Sequence, residues 1–472
     1  MLLDTNLLRQ KVLDLAIKGQ LVPQYTNEES ATELLKEIKD NIESLICSGD
    51  ISLKKRNKTS ASLCNTDTPY DLPRGWVWCT LDDLAFYKKG PFGSSLTKSM
   101  FVPDGSNSYK VYEQKNAIQK SAELGTYFIS KAKFESMKGF EVKPCDIIVS
   151  CAGTIGEAYM LPNNIRPGII NQALMIIRLY NKEIANFFLL YFDFALKSLA
   201  KANSKGSAIK NIPPFKVLKQ FYFPLPPLEE QKRIVAKVEE IFAELDAIDK
   251  AYSDLEQLGT LSKSKILDLA IKGQLVPQLD SEPAVEQISK APKEVPFDIP
   301  EKWKWVSLRD VGTIISGGTP KTSETSYWGN DVSWITPADL GKLKEPTIYS
   351  GARSISFAGL KNSSARLIPE GSVVYSSRAP IGHIAIAGKE LTTNQGCKSL
   401  YPNTTVLSSK WTYFTLIART KDIQQRATGT TFKEISAKGF AATLIPLPPL
   451  EEQKRIVAKV EELFALIDAM KK

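Results

Sequence analysis

Apolar residues at Ile234, Val238, Ile241, Leu245, Ile248, Tyr252 and Leu255 step alternately by four and three, with charged residues filling the positions between. That a/d rhythm draws a narrow apolar seam along one side of a helix and predicts a coiled coil. Pro226-Pro227 stops a preceding strand and favours a first helical turn, and Glu229-Glu230 suits the positive end of the helix dipole. The pattern therefore predicts a helix from Leu228 to Leu258, roughly 45 Å long at about 1.5 Å per residue. The seam returns at Ile456, Val460, Leu463, Ile467 and Met470, behind Pro448-Pro449 and Glu451-Glu452, and a shorter piece lies at Leu8, Val12 and Leu15.

The return is letter for letter. PLPPLEEQKRIVAKVEE spans Pro224 to Glu240 and again Pro446 to Glu462, and LDLAIKGQLVPQ spans Leu13 to Gln24 and again Leu267 to Gln278. Such duplication marks two pseudo-equivalent halves. The first pair is 222 residues apart and the second 254, so Lys472 corresponds to Lys250 and Met1 to Leu255. The head and tail of the chain read as two pieces of a second spacer, antiparallel to the central one, with the chain ends adjacent across a pseudo-twofold axis.

Two blocks, 69–222 and 297–444, lie between the spacer pieces and share a skeleton rather than a sequence. Each opens alike, LPRGWVWCTLDDLA from Leu72 and IPEKWKWVSLRDVG from Ile299, and passes into a glycine-rich loop, KKGPFGSS from Lys88 and SGGTPKTSE from Ser316. Each then has a β-rich run ending in a tight turn at Gly156 or Gly382, an Asn-Gln pair (Asn171-Gln172 and Asn394-Gln395), a helical stretch (Ala185 to Ala202 and Ser408 to Ala427) and a closing loop, KGSAIKNI from Lys205 and TGTTFKEI from Thr428. The fold class expected is α+β, with two domains of one fold separated by antiparallel coiled-coil helices. The divisions are 1–68 (helix and linker), 69–222 (first domain), 223–296 (central coiled coil and linker), 297–444 (second domain) and 445–472 (last helix). Glu33 to Ile46 reads as a short helix; Ile51 to Thr68 and Leu279 to Pro296 read as linkers.

Charge says what the two domains meet. The first has twenty Lys and Arg against twelve Asp and Glu and the second eighteen against eleven, whereas the whole chain is only +9, so spacer and linkers are mildly acidic. Two basic heads on a neutral-to-acidic frame fit a polyanion. Candidate DNA contacts are Lys88, Lys89, Gly90, Gly93, Ser94, Lys110, Tyr112, Gln114, Lys115, Thr154, Asn171, Gln172, Lys205 and Lys210 in the first head. In the second they are Gly317, Gly318, Thr319, Lys321, Thr336, Arg378, Gly382, Asn394, Gln395 and Lys433. Arg and Lys suit guanine edges, Asn and Gln suit adenine, and Ser, Thr and glycine-loop amides hold phosphates.

Other chemistries find little support. His383 is the single histidine, which disfavours histidine-based catalysis and multi-histidine metal sites, and neither GxxxxGK[ST] nor GxGxxG occurs. Asn211-Ile212-Pro213-Pro214-Phe215 approaches the adenine-methyltransferase tetrapeptide, but Ile212 sits where an amino group must be hydrogen-bonded. Pro144-x-Asp146 and Pro337-x-Asp339 lack a nuclease's further carboxylate and lysine, so both aspartates read as turn residues. Six cysteines without ligand spacing suggest free thiols in a reducing cytosol. Asp4, Arg9, Lys11 and Asp14 interrupt the first leucines before an export signal forms, and no uncharged run approaches a membrane span.

With its doubled PLPPLEEQKRIVAKVEE and LDLAIKGQLVPQ helices and its paired GGTP-like, IG, NQ and G-x-x-x-K-x-I landmarks, the chain resembles the specificity subunit of a type I restriction-modification system along essentially its full length. The resemblance implies a non-catalytic subunit whose two target-recognition domains each read one half of a bipartite double-stranded DNA site. It further implies that the helices set the half-site spacing and dock two modification subunits, which would use S-adenosylmethionine to methylate adenine. Restriction subunits would add ATP- and Mg-dependent translocation and cleavage; no cofactor is expected in this chain, and the setting is cytoplasmic. The alternative from a different class is a coiled-coil scaffold whose heads bind proteins or structured RNA.

Overall fold

The computed structural model describes residues 3–47, 68–152, 154–202, 212, 214–378, 380–429 and 433–470. The chain divides into two units, Leu2–Asp249 and Lys250–Lys472, and each has the same parts.

In the first unit, Val77–Thr80 pairs antiparallel with Tyr222–Leu225, so the head is closed by a strand just before Pro226-Pro227 launches the central helix. Behind this pair lies an antiparallel sheet in the order Ala85–Lys89, Leu174–Leu179, Ile147–Ser150, Ala158–Met160. A second sheet joins Phe101–Val102, Phe128–Ser130, Ser108–Tyr112 and Gly168–Ile170, its last two strands parallel. All four residues of Ile147–Ser150 are buried because the strand is covered on both faces. Ile147 and Val149 pack toward the helix Ala185–Ala202 through Phe187, Phe188 and Phe192, and Ile148 packs toward the second sheet through Tyr112 and Ile170.

The second unit repeats the plan. Lys304–Ser307 pairs with Leu444–Leu447, and a five-stranded sheet runs Gly312–Ser316, Cys397–Pro402, Val373–Ser376, Ile384–Ala387, Thr347–Ile348. Trp328–Ile335 lies between Arg353–Ile355 and Thr392–Thr393 in a three-stranded sheet. Val373 and Tyr375 face Trp411 of the helix Ser409–Gln425, and Val374 faces Ile335 and Ile348.

The central helix is one 44-residue element, Leu228–Ile271, about 66 Å long. It outruns the expected end at Leu258, because Gly259 to Lys265 contains no proline and a lone glycine costs a helix only about 1 kcal/mol. Its seam is buried at Ile234, Val238 and Leu245 and half-buried at Ile241, Ile248, Tyr252 and Leu255. In the carboxy-terminal helix Leu450–Ala469, Ile456 and Val460 are buried, Leu463 and Ile467 half-buried, and Met470 is exposed beyond the contact. In the amino-terminal helix Thr5–Ile17, Leu8, Val12 and Leu15 are likewise half-buried, and Leu13, Ala16 and Ile17 also enter the core with Ile234 and Val238. Its last turn packs against the head as well as the helix, so the buried stripe turns away from the strict a/d line.

Each unit pairs its two helices antiparallel, with the same contacts. In the first, Arg9 meets Asp246 and Asp249 at one end, and Arg233 pairs with Glu28 and donates to the carbonyl of Pro23 at the other. In the second, Lys263 meets Asp468 at 2.7 Å, and Arg455 pairs with Glu282 at 2.7 Å and donates to the carbonyl of Pro277. Each pair of partners is related by the two sequence offsets. Between them sits a buried carboxylate that ties head to helix: Trp76 donates to Glu230 at 3.0 Å and Trp303 to Glu452 at 2.9 Å, both carboxylates being 1% exposed. Gln278 also donates to Glu452. Burial pushes both carboxyl pKa values up, against the lowering effect of the indole bonds.

Gly19 and Gly273 end the LDLAIKG helices with φ of +67° and +69°, and their amides bond to Ala16 and Ala270 as left-handed caps. A Cβ there would lie 2.5 Å from Pro73 Cγ and 2.3 Å from Pro300 Cγ. The segment after Gln278 is pinned rather than loose, since Glu282 is held by Arg455 and Val285 donates to Lys302. Residues 48–67, which hold most of the other expected linker, lie outside the described residues, as do Met1 and Lys472.

Candidate nucleic-acid interface

At one end of each main sheet three loops converge, and backbone geometry brings them together. The glycine loop abuts the Asn-Gln turn so closely that a Cβ on Gly90 would stand 1.9 Å from the carbonyl oxygen of Asn171, and one on Gly317 2.0 Å from that of Asn394. Gly90 and Gly317 therefore serve close approach. The Asn side chains shape their own turns: Asn171 Oδ1 accepts from the Ala173 amide at 3.0 Å and Asn394 Oδ1 from Gly396 at 2.9 Å. The third loop leaves the central strand at Ser150 or Ser376 and returns at Gly156 or Gly382, whose amides donate to the Ser150 and Ser376 carbonyls at 2.9 and 3.1 Å. Ser376 Oγ additionally donates to the carbonyl of Pro380 and accepts from the amides of Gly382 and His383.

The candidate residues fall into three groups. Lys89, Gly93, Ser94, Thr154 and Gln172 are exposed in the first head, as are Lys321, Gln395 and Lys433 in the second. A second group is half-buried and engaged. Lys88 lies over the Phe140 ring at 4.8 Å, Lys115 pairs with Glu113 at 3.1 Å, and Gln114 donates to Ser150 Oγ at 3.2 Å and to the Ala152 carbonyl, tying two loops. Thr336 forms a capping box with Asp339, Arg378 stands 3.9 Å from Glu434, and Thr319 donates to Gln395 Oε1.

The third group corrects the sequence expectation. Lys110 is 5% exposed, its ammonium donating to the Glu123 carbonyl at 2.9 Å, and burial lowers its pKa. Tyr112 is fully buried with its hydroxyl on the Arg166 carbonyl. Both lie on a strand sandwiched between layers, so neither side chain reaches solvent. Gly318 is buried too, with Trp334 donating to its carbonyl at 2.9 Å and no room for a Cβ beside Ser364. Lys205 and Lys210 lie outside the described residues.

The two aspartates of the nuclease-like tripeptides are structural. Asp146 accepts from the Lys143 amide and holds Arg178 at 2.6 Å in a nearly buried pair, and Asp339 caps at Thr336. Burial pushes the Cys151 thiol up to about 11 and the Cys397 thiol to about 12, which leaves both protonated at neutral pH. Among the described residues no His/Cys/Asp/Glu group could hold a metal ion, and no helix is long and apolar enough to cross a membrane. Three features escaped sequence reading. Phe92, between Gly90 and Gly93, is 87% exposed at the loop tip; Lys398 is buried with its ammonium on the Gln395 carbonyl; and Glu434 faces both Lys398 and Arg378. The exposed glycine-loop aromatic had a visible signal in the GPFG sequence. The other two depend on strands that meet only in the fold.

Two heads of one fold, each offering the same three-loop scaffold with different side chains and each keyed to paired helices, define a double recognition module. A profile described as the type I restriction modification DNA specificity domain matches residues 73–257 and 300–472, and the chain belongs to that family. It is 25% identical over 557 aligned positions to the EcoAI specificity subunit of Escherichia coli, covering 98% of this chain and 90% of that one. It is 36% identical over 176 residues to the MjaIX specificity subunit of Methanocaldococcus jannaschii, covering 37% of this chain and 40% of that relative. In fold it is similar to the HsdS subunit from Thermoanaerobacter tengcongensis (TM-score 0.51, 21% identity, 85% of this chain and 92% of that one). A chain solved for complex assembly and conformational transition of the type I R-M system is also similar (TM-score 0.58, 23% identity, 85% and 93%).

Proposed function

We propose that each head reads one half of a split, asymmetric duplex site in the major groove, and that the central helix sets the distance between the halves. The observation that carries this reading is the repetition of one loop scaffold with unlike tips, Pro91-Phe92-Gly93-Ser94 in one head and Gly318-Thr319-Pro320-Lys321 in the other. A repeated frame with changed reading residues suits two different half-sites. Exposed Lys89, Lys321 and Lys433 supply phosphate contacts, so affinity falls with salt. The chain selects the site and leaves catalysis to partners: two modification subunits holding S-adenosylmethionine methylate adenine, and restriction subunits use ATP and Mg. The complex works in the cytoplasm.

Replacing residues 69–222 with another recognition domain should change one half of the methylated sequence and leave the other half alone. One heptad inserted after Leu245 adds about 10 Å of helix, or about 3 base pairs of half-site separation at 3.4 Å per step. Methylation mapping reads both. An unchanged gap would remove the helix from the role of ruler, and loss of both halves on swapping one head would refute independent reading.

A further inference from the structure

In the second head one exposed side chain is held as a base reader must be. Resting on the DNA-reading function proposed above, we infer that Gln395 recognises an adenine in the half-site of the second head, and that Thr319 is the positioning residue that sets its amide.

Gln395 stands exposed in a turn whose backbone is fixed from two sides. Asn394 Oδ1 takes the Gly396 amide at 2.9 Å, and the buried Lys398 donates its ammonium to the Gln395 carbonyl at 2.9 Å. The Thr319 hydroxyl reaches across from the glycine loop and donates to Gln395 Oε1. An amide oriented in this way keeps one oxygen lone pair and both Nε2 hydrogens for a ligand. That pair of functions matches the adenine edge, where N7 accepts and N6 donates. Guanine offers two acceptors, and O6 would face the Gln395 oxygen.

The surroundings argue against a simple phosphate clamp. Glu434 lies 3.6 Å from Lys398 and 3.9 Å from Arg378, so these two cations are already partly offset. The first head provides an internal contrast: the same frame carries Phe92 where the second has Thr319, so Gln172 has no hydroxyl to orient it from that position. The two heads thus share an Asn-Gln turn, and among the described residues the threonine-set amide is seen in the second head.

The test uses the full chain assembled with its modification subunits, with methylated motifs read from a randomised duplex library for wild type, Gln395→Ala, Thr319→Val and Thr319→Ser. Gln395→Ala should lower the preference for adenine at one position of the second half-site by roughly 5- to 150-fold, the range of one bidentate base contact, leaving the first half-site unchanged. Thr319→Val should lose part of that preference and Thr319→Ser should retain it. An unchanged motif in Gln395→Ala, equal weakening at every position, or Thr319→Ser behaving like Thr319→Val would overturn the assignment while leaving the double-reader function standing. A wild-type complex with no split motif would overturn both.

Discussion

The bond between Trp303 and Glu452 ties the second head to its helix, and its strength can be measured directly. Trp303 is 2% exposed and Glu452 1%, their bond is 2.9 Å long, and they lie 149 residues apart in sequence. Trp303→Phe removes the donor and leaves a buried carboxylate oxygen without it. A hydrogen bond to a charged group contributes about 1.5–3 kcal/mol, and the gap left by the smaller ring adds about 1 kcal/mol, so a loss of roughly 2.5–4 kcal/mol is expected. Glu452→Met keeps the volume but strands the indole N–H, at a cost of about 1–3 kcal/mol. If the joint acts as a unit, the double variant should fall short of the sum of the singles by about 1.5–3 kcal/mol. Urea denaturation of the four proteins, followed by far-ultraviolet circular dichroism, gives the cycle. Additivity within about 0.5 kcal/mol, the behaviour of independent sites, would refute the reasoning.

Because burial raises the carboxyl pKa values of Glu230 and Glu452 above the ordinary glutamate range, the folded chain holds protons there that the unfolded chain has released. These groups therefore make stability fall as pH rises from about 4.5 through their folded values, and Glu230→Gln with Glu452→Gln should flatten that slope in thermal melts. Gly273→Ala puts a Cβ against Pro300 at a left-handed position and should cost about 2–3 kcal/mol, whereas Lys272→Ala beside it should cost under 1 kcal/mol, both by urea titration. Asp146→Ala leaves the largely buried Arg178 without its partner and should destabilise the first head by about 3 kcal/mol; hydrogen exchange slower than or equal to wild type in Ile147–Ser150 would contradict that role.

The parts of the fold written in local pattern could be read from the chain alone. The seam at Ile234 to Leu255 follows from spacing, and the helices Ala185–Ala202 and Ser409–Gln425 from their apolar runs. The continuation of the central helix to Ile271 was hidden because Ser262, Lys263, Ser264 and Lys265 carry no apolar period, and a helix needs only the absence of a breaker to continue. Lys110 and Tyr112 misled because a strand's polar letters face solvent only when one face is free. Here a second layer covers them, and the ammonium of Lys110 is satisfied by a carbonyl. The joints were out of reach for another reason. Trp76 and Glu230 are 154 residues apart and Thr319 and Gln395 are 76 apart, so no window of sequence contains both partners.

The identical seventeen-residue stretches carry a consequence for inheritance. If the gene misaligned at these stretches and exchanged there, the product would lose 222 residues and join Glu240 directly to Leu463. Phe464 and Asp468 would then stand where Phe242 and Asp246 stood, facing Arg9, while the Glu230 and Arg233 contacts would survive untouched. A single-headed chain with a complete core would remain, so that one crossover could turn a two-headed chain into a one-headed one.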